Sequence, residues 1–417
     1  MLLYWIWLTV GKYISAKSKK ILLERFGDVE QIFLADEEML RGVDGLKEKE
    51  IAALADKSLA LARGTLRTCD DLRVQVITWQ DAAYPERLRN IYDPPLVLYV
   101  SGNLPSVDNE AAIAVVGTRK ASAYGLMMSK RLGYQLSRAG AMVISGAARG
   151  IDSMALEGAL TAGRPVIGVL GCGTDIVYPP ENRSLLRDIR LHGCLISEYP
   201  PGTSPKPEHF PARNRIMSGL AVGVLVVEAP KKSGALITAK HALEQGKDIF
   251  AIPGNVGANS LEGNIALIKE GATMVECGAD IVREYVQRFP KLNAAPVECD
   301  FEQALEMFPK SEVPMHYKST EEDEKAARRE LKKKQSNPEK VDPIEVFRNL
   351  TENQMKIMQA VQSGSRHIDE LIELTGLTAS AVLGAVTAME IKGYIKRLPG
   401  QRFKLPGLEE PGDKLCR

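Results

Sequence analysis

Five short stretches of this chain carry residue types suited to holding phosphate. They are Gly117-Thr118-Arg119-Lys120; Ser145-Gly146 with Arg149-Gly150; Gly171-Cys172-Gly173-Thr174; Phe210-Pro211-Ala212-Arg213-Asn214-Arg215; and Ser233-Gly234 with Thr238 and Lys240. An arginine fork matches two phosphate oxygens at once, glycine lets a backbone approach closely, and free peptide N–H groups add further donors. The set therefore points to a ligand with several phosphates. Arg119, Arg149, Arg213 and Arg215 are the expected anion ligands, and Gly117, Gly146 and Gly150 the expected points of close approach.

Other chemistries lack their residues. No GxxxxGK[ST] run is present, and no GxGxxG opens the first helix with an acid some twenty residues on, which disfavours P-loop and dinucleotide chemistry. The five histidines are isolated and no serine sits beside a His and an acid in a hydrolase pattern, so each histidine reads as structural. The six cysteines are scattered without a CxxC pair, which predicts reduced thiols in a cytoplasmic protein and no metal site. With 54 basic and 53 acidic residues, anion binding must come from local clustering and not from a global field. Asp152 is expected to organise its own turn. Glu228 stands at a strand end, either as a catalytic carboxylate or as a partner for an arginine. Rossmann-like nucleoside phosphoribohydrolases also place glycines, an arginine and a glutamate at strand ends, but their PGGxGT-type loop followed by glutamate is missing: Glu228 precedes Ala229-Pro230-Lys231-Lys232-Ser233-Gly234.

The positions of these stretches follow from the elements around them. Between Ala111 and about Val286 short apolar runs alternate with helix-like segments: Ile113–Val116, Met142–Ser145, Val166–Leu170, Leu195–Ser197, Val222–Val227, Ile249–Ile252 and Met274–Val275. Continuous rather than alternating apolar runs predict strands buried on both faces, as in a parallel sheet covered by helices. Each phosphate-suited stretch then falls just beyond or near a strand end, the edge where such sheets bind ligands. Val74–Trp79 and Pro95–Val100 read as two further strands leading into this core.

Four domains are predicted: residues 1–80 helical, 81–290 an extended Rossmann-like core, 291–349 a charged linker and 350–408 a winged helix. Met1–Val10 is apolar but lacks a basic start and a small-residue cleavage site, and it is too short to span a bilayer, so it reads as a buried first helix. Val43-Asp44-Gly45-Leu46 resembles the turn of a helix-hairpin-helix, although a plain turn in a small helical domain fits as well. The linker is punctuated by prolines and mixes charges of both signs with few large apolar residues. Thr351-Glu352-Asn353-Gln354 has capping-box spacing, two further helices follow, and Tyr394–Leu398 with Arg402–Leu405 form a hairpin.

At this level of detail the chain resembles the DNA-processing protein A family (DprA, also called Smf). The resemblance rests on Val116–Arg119, Ser145–Asp152, Tyr178-Pro179 with Glu181-Asn182, Phe210–Arg215, Ser233–Ala239 and Ile252-Pro253-Gly254, in that order. It implies an α/β fold with an extended Rossmann-like parallel sheet, an N-terminal SAM/helix-hairpin-helix-like domain and a C-terminal winged helix. It further implies a non-enzymatic protein without cofactor that binds single-stranded DNA, protects incoming strands in natural transformation and helps load RecA recombinase, acting as a homodimer through the Rossmann-like domain, with no membrane partner. Carried onto this sequence, Arg119 becomes the leading phosphate ligand, supported by Arg149, Arg213, Arg215, Asn214, Lys206 and Lys240, with Phe210 the stacking residue. Two departures stand out: Pro180 where family members often carry lysine, and a presumed recognition helix, Thr378–Ile391, without Lys or Arg.

Overall fold

The computed structural model describes residues 1–11, 14–255, 257–295, 351–361, 364–391, 394–398 and 402–404. The linker expected at 291–349 lies, from residue 296 on, outside the described residues. The chain divides into two compact units, residues 1–318 and 319–417.

The first unit opens with six helices, α1 (Leu2–Val10), α2 (Ala16–Phe26), α3 (Val29–Leu34), α4 (Glu37–Arg41), α5 (Glu48–Ala55) and α6 (Ala60–Asp71). The apolar start is a buried helix: Trp5, Ile6, Trp7 and Leu8 all pack in the core. Glu50 joins α5 to the start of α2. Its carboxylate accepts from the Ser15 amide at 2.9 Å, the Ser18 hydroxyl at 2.7 Å and the Lys47 amide at 3.0 Å. Burial opposes its ionisation, but these hydrogen bonds outweigh burial and draw its pKa down to about 2.

A nine-stranded sheet follows. In chain order it comprises β1 (Gln75–Thr78), α7 (Glu86–Arg89), β2 (Val97–Gly102), β3 (Ala112–Val116), α8 (Ala123–Arg138), β4 (Met142–Ser145), α9 (Ile151–Thr161), β5 (Val166–Leu170), α10 (Arg183–His192), β6 (Cys194–Ser197), α11 (His209–Leu220), β7 (Gly223–Val226), α12 (Gly234–Glu244), β8 (Asp248–Ala251), α13 (Glu262–Lys269), β9 (Thr273–Met274) and α14 (Gly278–Arg283). The spatial order is β1-β2-β6-β5-β4-β3-β7-β8-β9. Every pair from β6 to β9 is parallel, while β1 and β2 run antiparallel at one end. The sheet thus begins at Gln75, inside the stretch assigned from sequence to the helical domain. Val97 and Tyr99 pack under the N-terminal helices and tie the two together.

The apolar runs form two cores, one on each sheet face, as their lack of alternation requires. Helices α8 and α9 lie very close together: a Cβ on Gly133 would come within 2.1 Å of the Ala155 carbonyl oxygen. That packing fixes the loops entering both helices. From β3 the chain winds through β4 and β5 to β6, then crosses back to β7 beside β3. The switch point of the sheet is therefore the β3/β7 gap, where a crevice opens beyond the strand ends.

The second unit holds α15 (Glu352–Val361), β10 (Arg366–His367), α16 (Ile368–Thr375), α17 (Ala379–Ile391), β11 (Lys396–Leu398) and β12 (Arg402–Lys404). The capping box forms, with the Gln354 side chain accepting from the Thr351 amide at 3.1 Å. Gly376 ends α16 in the left-handed region at φ 65°. β12 pairs with both β11 and β10, giving the three-stranded sheet of a winged helix.

Candidate functional site

A groove of about 900 Å³ opens at the β3/β7 switch point. Its walls come from the loop after β3 (Gly117–Lys120), the turn after β4 (Ala148) and the first turn of α9 (Asp152), Tyr178 after β5, the start of α11 (Phe210, Arg213, Asn214), and the approach to and start of α12 (Lys232–Ala235).

Arg119 and Lys120 of the loop after β3 and Lys232 of the approach to α12 are exposed on the groove walls. Arg119 lies over the Phe210 ring, its guanidinium carbon 4.9 Å from the centroid. Phe210 in turn packs against Tyr178 at 5.5 Å between ring centroids. The guanidinium of this exposed arginine thus rests against an aromatic layer. Across the groove, the Ser233 side chain caps α12 and accepts from the Ala235 amide at 3.3 Å. An eleven-residue helix therefore turns its positive end toward the cleft. Thr238, one turn further, is 1% exposed and also lines the groove.

The floor is built by a buried charge pair. Arg213 is 4% exposed and donates to the carbonyl of Gly146 at 2.8 Å and to that of Val169. Asp152 lies near it, held by the backbone amides of Ala148 and Gly117. Burial raises the Asp152 carboxyl to about 6 against the opposing pull of Arg213 and those amides, and burial lowers Arg213 to about 10 against the pull of Asp152. Asn214 accepts from Arg213 Nε at 3.3 Å and donates to the Gly234 carbonyl at 3.2 Å, tying α11 to the start of α12. Arg213 and Asn214 thus line the groove while bonded to neighbouring groups within the protein.

Several expected ligands stand elsewhere. Arg215 is turned away from the groove and bonded to both Glu198 oxygens, at 2.8 and 2.6 Å, with Asp93 at 3.2 Å from its Nε. Two carboxylates neutralise it, which corrects the expectation that it meets phosphate. Arg149 remains half exposed and pairs with Glu181 outside the groove. Lys206 is exposed between Pro205 and Pro207, which line the groove although the lysine does not. Lys240 lies nearly two turns into α12 beside Glu244 at 3.8 Å. The three glycines answer to internal packing. A Cβ on Gly117 would meet Ile151 at 2.4 Å, one on Gly146 the Arg213 guanidinium at 2.3 Å, and one on Gly150 (φ +81°) the Thr118 carbonyl at 2.5 Å. They let the loops nest together, and only Gly117 also faces the groove.

Glu228 is 1% exposed, and its carboxylate accepts from the Ser122 amide at 3.0 Å and hydroxyl at 3.0 Å. It anchors the start of α8 and does not line the groove. Sequence reasoning did not single out Tyr178, signalled only by its place in a motif, or Lys232 as a ligand, although Lys231-Lys232 precede a helix cap. It also missed Asn264, which is fully buried and donates to the carbonyls of Val226, Val227 and Ile252 at 3.0 Å while accepting from the Ala229 amide at 2.8 Å. This side chain pins the ends of β7 and β8, and the Lys232 loop departs from the first of them. Among the described residues no cluster of His, Cys, Asp and Glu could hold a metal ion, and no helix is long and apolar enough to cross a membrane.

Comparison with known proteins adds to this geometry. Residues 75–286 match the family model described as DNA recombination-mediator protein A, and residues 347–401 match the DprA winged helix domain. The chain is 31% identical over 405 residues to Protein Smf of Synechocystis sp., covering 96% of this chain and 98% of that protein. It is 41% identical over 215 residues to DNA processing protein DprA of Bacillus subtilis, covering 52% of this chain and 72% of the relative. The X-ray structure of DNA processing protein A from Streptococcus pneumoniae superposes with a TM-score of 0.61 at 32% identity, covering 68% of this chain and 98% of that one.

Proposed function

The chain belongs to the DNA recombination-mediator protein A family, and from that premise we propose that it binds single-stranded DNA in the β3/β7 groove and delivers it to RecA recombinase. The observation that carries this reading is the charge pattern of the groove. Arg119, Lys120 and Lys232 are exposed on its walls, the α12 N-terminus faces it, and Asp152, the acid among its lining residues, is 5% exposed. Such a cleft attracts a polyphosphate whatever its sequence. The Arg119, Phe210 and Tyr178 layer favours single strands over duplex, because only unstacked bases can present a π-face to it. Arg119 is then the leading phosphate ligand, supported by Lys120 and Lys232. Phe210 supports Arg119 from below and offers its edge to a base.

The reading is one of binding and not of catalysis: the Glu228 carboxylate is committed to Ser122, and Asp152, the acid among the described lining residues, is buried beside Arg213. Homodimerisation through the Rossmann-like domain, action in the cytoplasm and a role in natural transformation complete the proposal, with family membership as their support. Titration of labelled oligo-dT and of a matched duplex tests it. The single strand should bind more tightly, with log affinity falling against log salt by about 0.7 per phosphate neutralised. Equal affinity for both forms, or a salt-independent signal, contradicts the reading.

A further inference from the structure

The rim that carries the groove continues past α11 to the N-terminal helices. β2 runs antiparallel to β6, with Tyr99 opposite Ser197, so the loop entering β2 lies at the same sheet edge as the groove. That loop is firmly held. Asp93 Oδ2 is 3.2 Å from Arg215 Nε, and the Tyr84 hydroxyl donates to the Pro95 carbonyl at 2.7 Å. Arg215 follows Phe210 by five residues on α11, about 7.5 Å along the helix axis. Lys19 of α2 approaches Asp93 and Glu198 as well, so two acids are matched by two cations and this cluster leaves little net charge.

Beside it stands Tyr92, 84% exposed, the most exposed large apolar side chain among the described residues. The Lys20 ammonium lies 5.0 Å from its ring centroid, and the nearest acid to that lysine, Glu24, is 4.0 Å away, at the limit of an ion pair. An exposed ring on a fixed loop, with a cation beside it, is the pairing that sequence-tolerant single-strand binders use: a π-face for a base and a charge for the adjacent phosphate.

We propose that Tyr92 and Lys20 form a second station for single-stranded DNA, receiving the strand as it leaves the groove over the start of α11. The proposal rests on the single-strand reading of the groove and extends it to the helical region. At 84% exposure the ring contributes little packing, so its removal should leave the fold intact.

The test uses the full chain and two lengths of labelled oligo-dT, about six nucleotides to fill the groove alone and about twenty to reach beyond it. Tyr92→Ala should weaken the longer strand about fivefold and leave the shorter one unchanged, Tyr92→Phe should bind as wild type, and Lys20→Ala should flatten the salt slope for the longer strand only. Arg119→Ala should weaken both lengths. If Tyr92→Ala binds the longer strand as wild type does, the second station is overturned while the groove stands. Equal weakening of both lengths by Tyr92→Ala overturns it too, since the ring then acts within the groove or the fold. If the wild-type chain binds neither length, the reading beneath the proposal fails, and the second station with it.

Discussion

The groove and the winged helix are both places where a DNA contact could be sought, and they differ in what surrounds their cations. On the groove walls Arg119, Lys120 and Lys232 are exposed and, among the described residues, none has an acid within ion-pair distance, while Asp152 is buried at the floor. In the winged helix, α17 presents Ala379, Leu383 and Gly384 to solvent together with Glu390, and none of its thirteen residues is Lys or Arg. Arg402 of the wing donates to the Ser365 carbonyl at 2.9 Å and lies 3.9 Å from Glu370. Arg366 pairs with that same glutamate at 3.5 Å. Among the described residues, the winged-helix arginines Arg366 and Arg402 thus share one glutamate, whereas Arg119, Lys120 and Lys232 on the groove walls have no such partner. Binding follows unneutralised charge and not the kind of element that bears it.

The largest expected effect tests the groove half of this contrast. Arg119→Ala removes a charged donor that rests over the Phe210 ring and should weaken single-strand binding about tenfold or more, flattening the salt slope by about 0.7. Anisotropy titrations at several salt concentrations check it. A smaller effect should come from pH. The Asp152 carboxyl is raised to about 6, so the folded protein holds its proton more tightly than an unfolded chain does; the ionised form works against the fold above that value. Lowering the pH through 6 neutralises the acid of the groove lining, and affinity for oligo-dT should rise about two- to threefold between about pH 7.5 and about pH 5.5. Asp152→Asn should lose this part of the pH profile, and an unchanged profile in that variant would place the titrating group elsewhere. The smallest effect belongs to the winged helix: Arg402→Ala should change DNA affinity by less than about twofold while lowering the stability of this unit by about 0.5–1.5 kcal/mol through the lost Ser365 contacts. A large loss of duplex binding in Arg402→Ala would break the comparison.

The central parallel strands β3 to β7 could be read from sequence because strands buried on both faces leave continuous apolar runs, and those runs fix where the loops emerge. Which loop residues face the groove was harder to read. Arg213 and Arg215 looked like a pair, but two residues on a helix turn through about 200°, so only one of them can point at the cleft. Gly117, Gly146 and Gly150 read as openings for a ligand because sequence shows a missing Cβ without showing what occupies the space. Here that space is filled by Ile151, Arg213 and the Thr118 carbonyl. Lys240 was grouped with Ser233 by nearness in sequence, yet six residues of helix separate them. Asn264 left no signal, since a buried side chain bridging two strand ends has no local pattern. The domain boundary near residue 80 was set by composition, while hydrogen bonding places β1 in the sheet.

The most direct test of the groove is photo-crosslinking of oligo-dT to the full chain, followed by mapping of the modified peptides by mass spectrometry. Adducts on the peptides that carry Tyr178 and Phe210, lost when excess unlabelled single strand is added and retained when excess duplex is added, are the predicted result. Adducts confined to residues 351–404, with none at Tyr178 or Phe210, would contradict the assignment of the β3/β7 groove as the place where the strand is held.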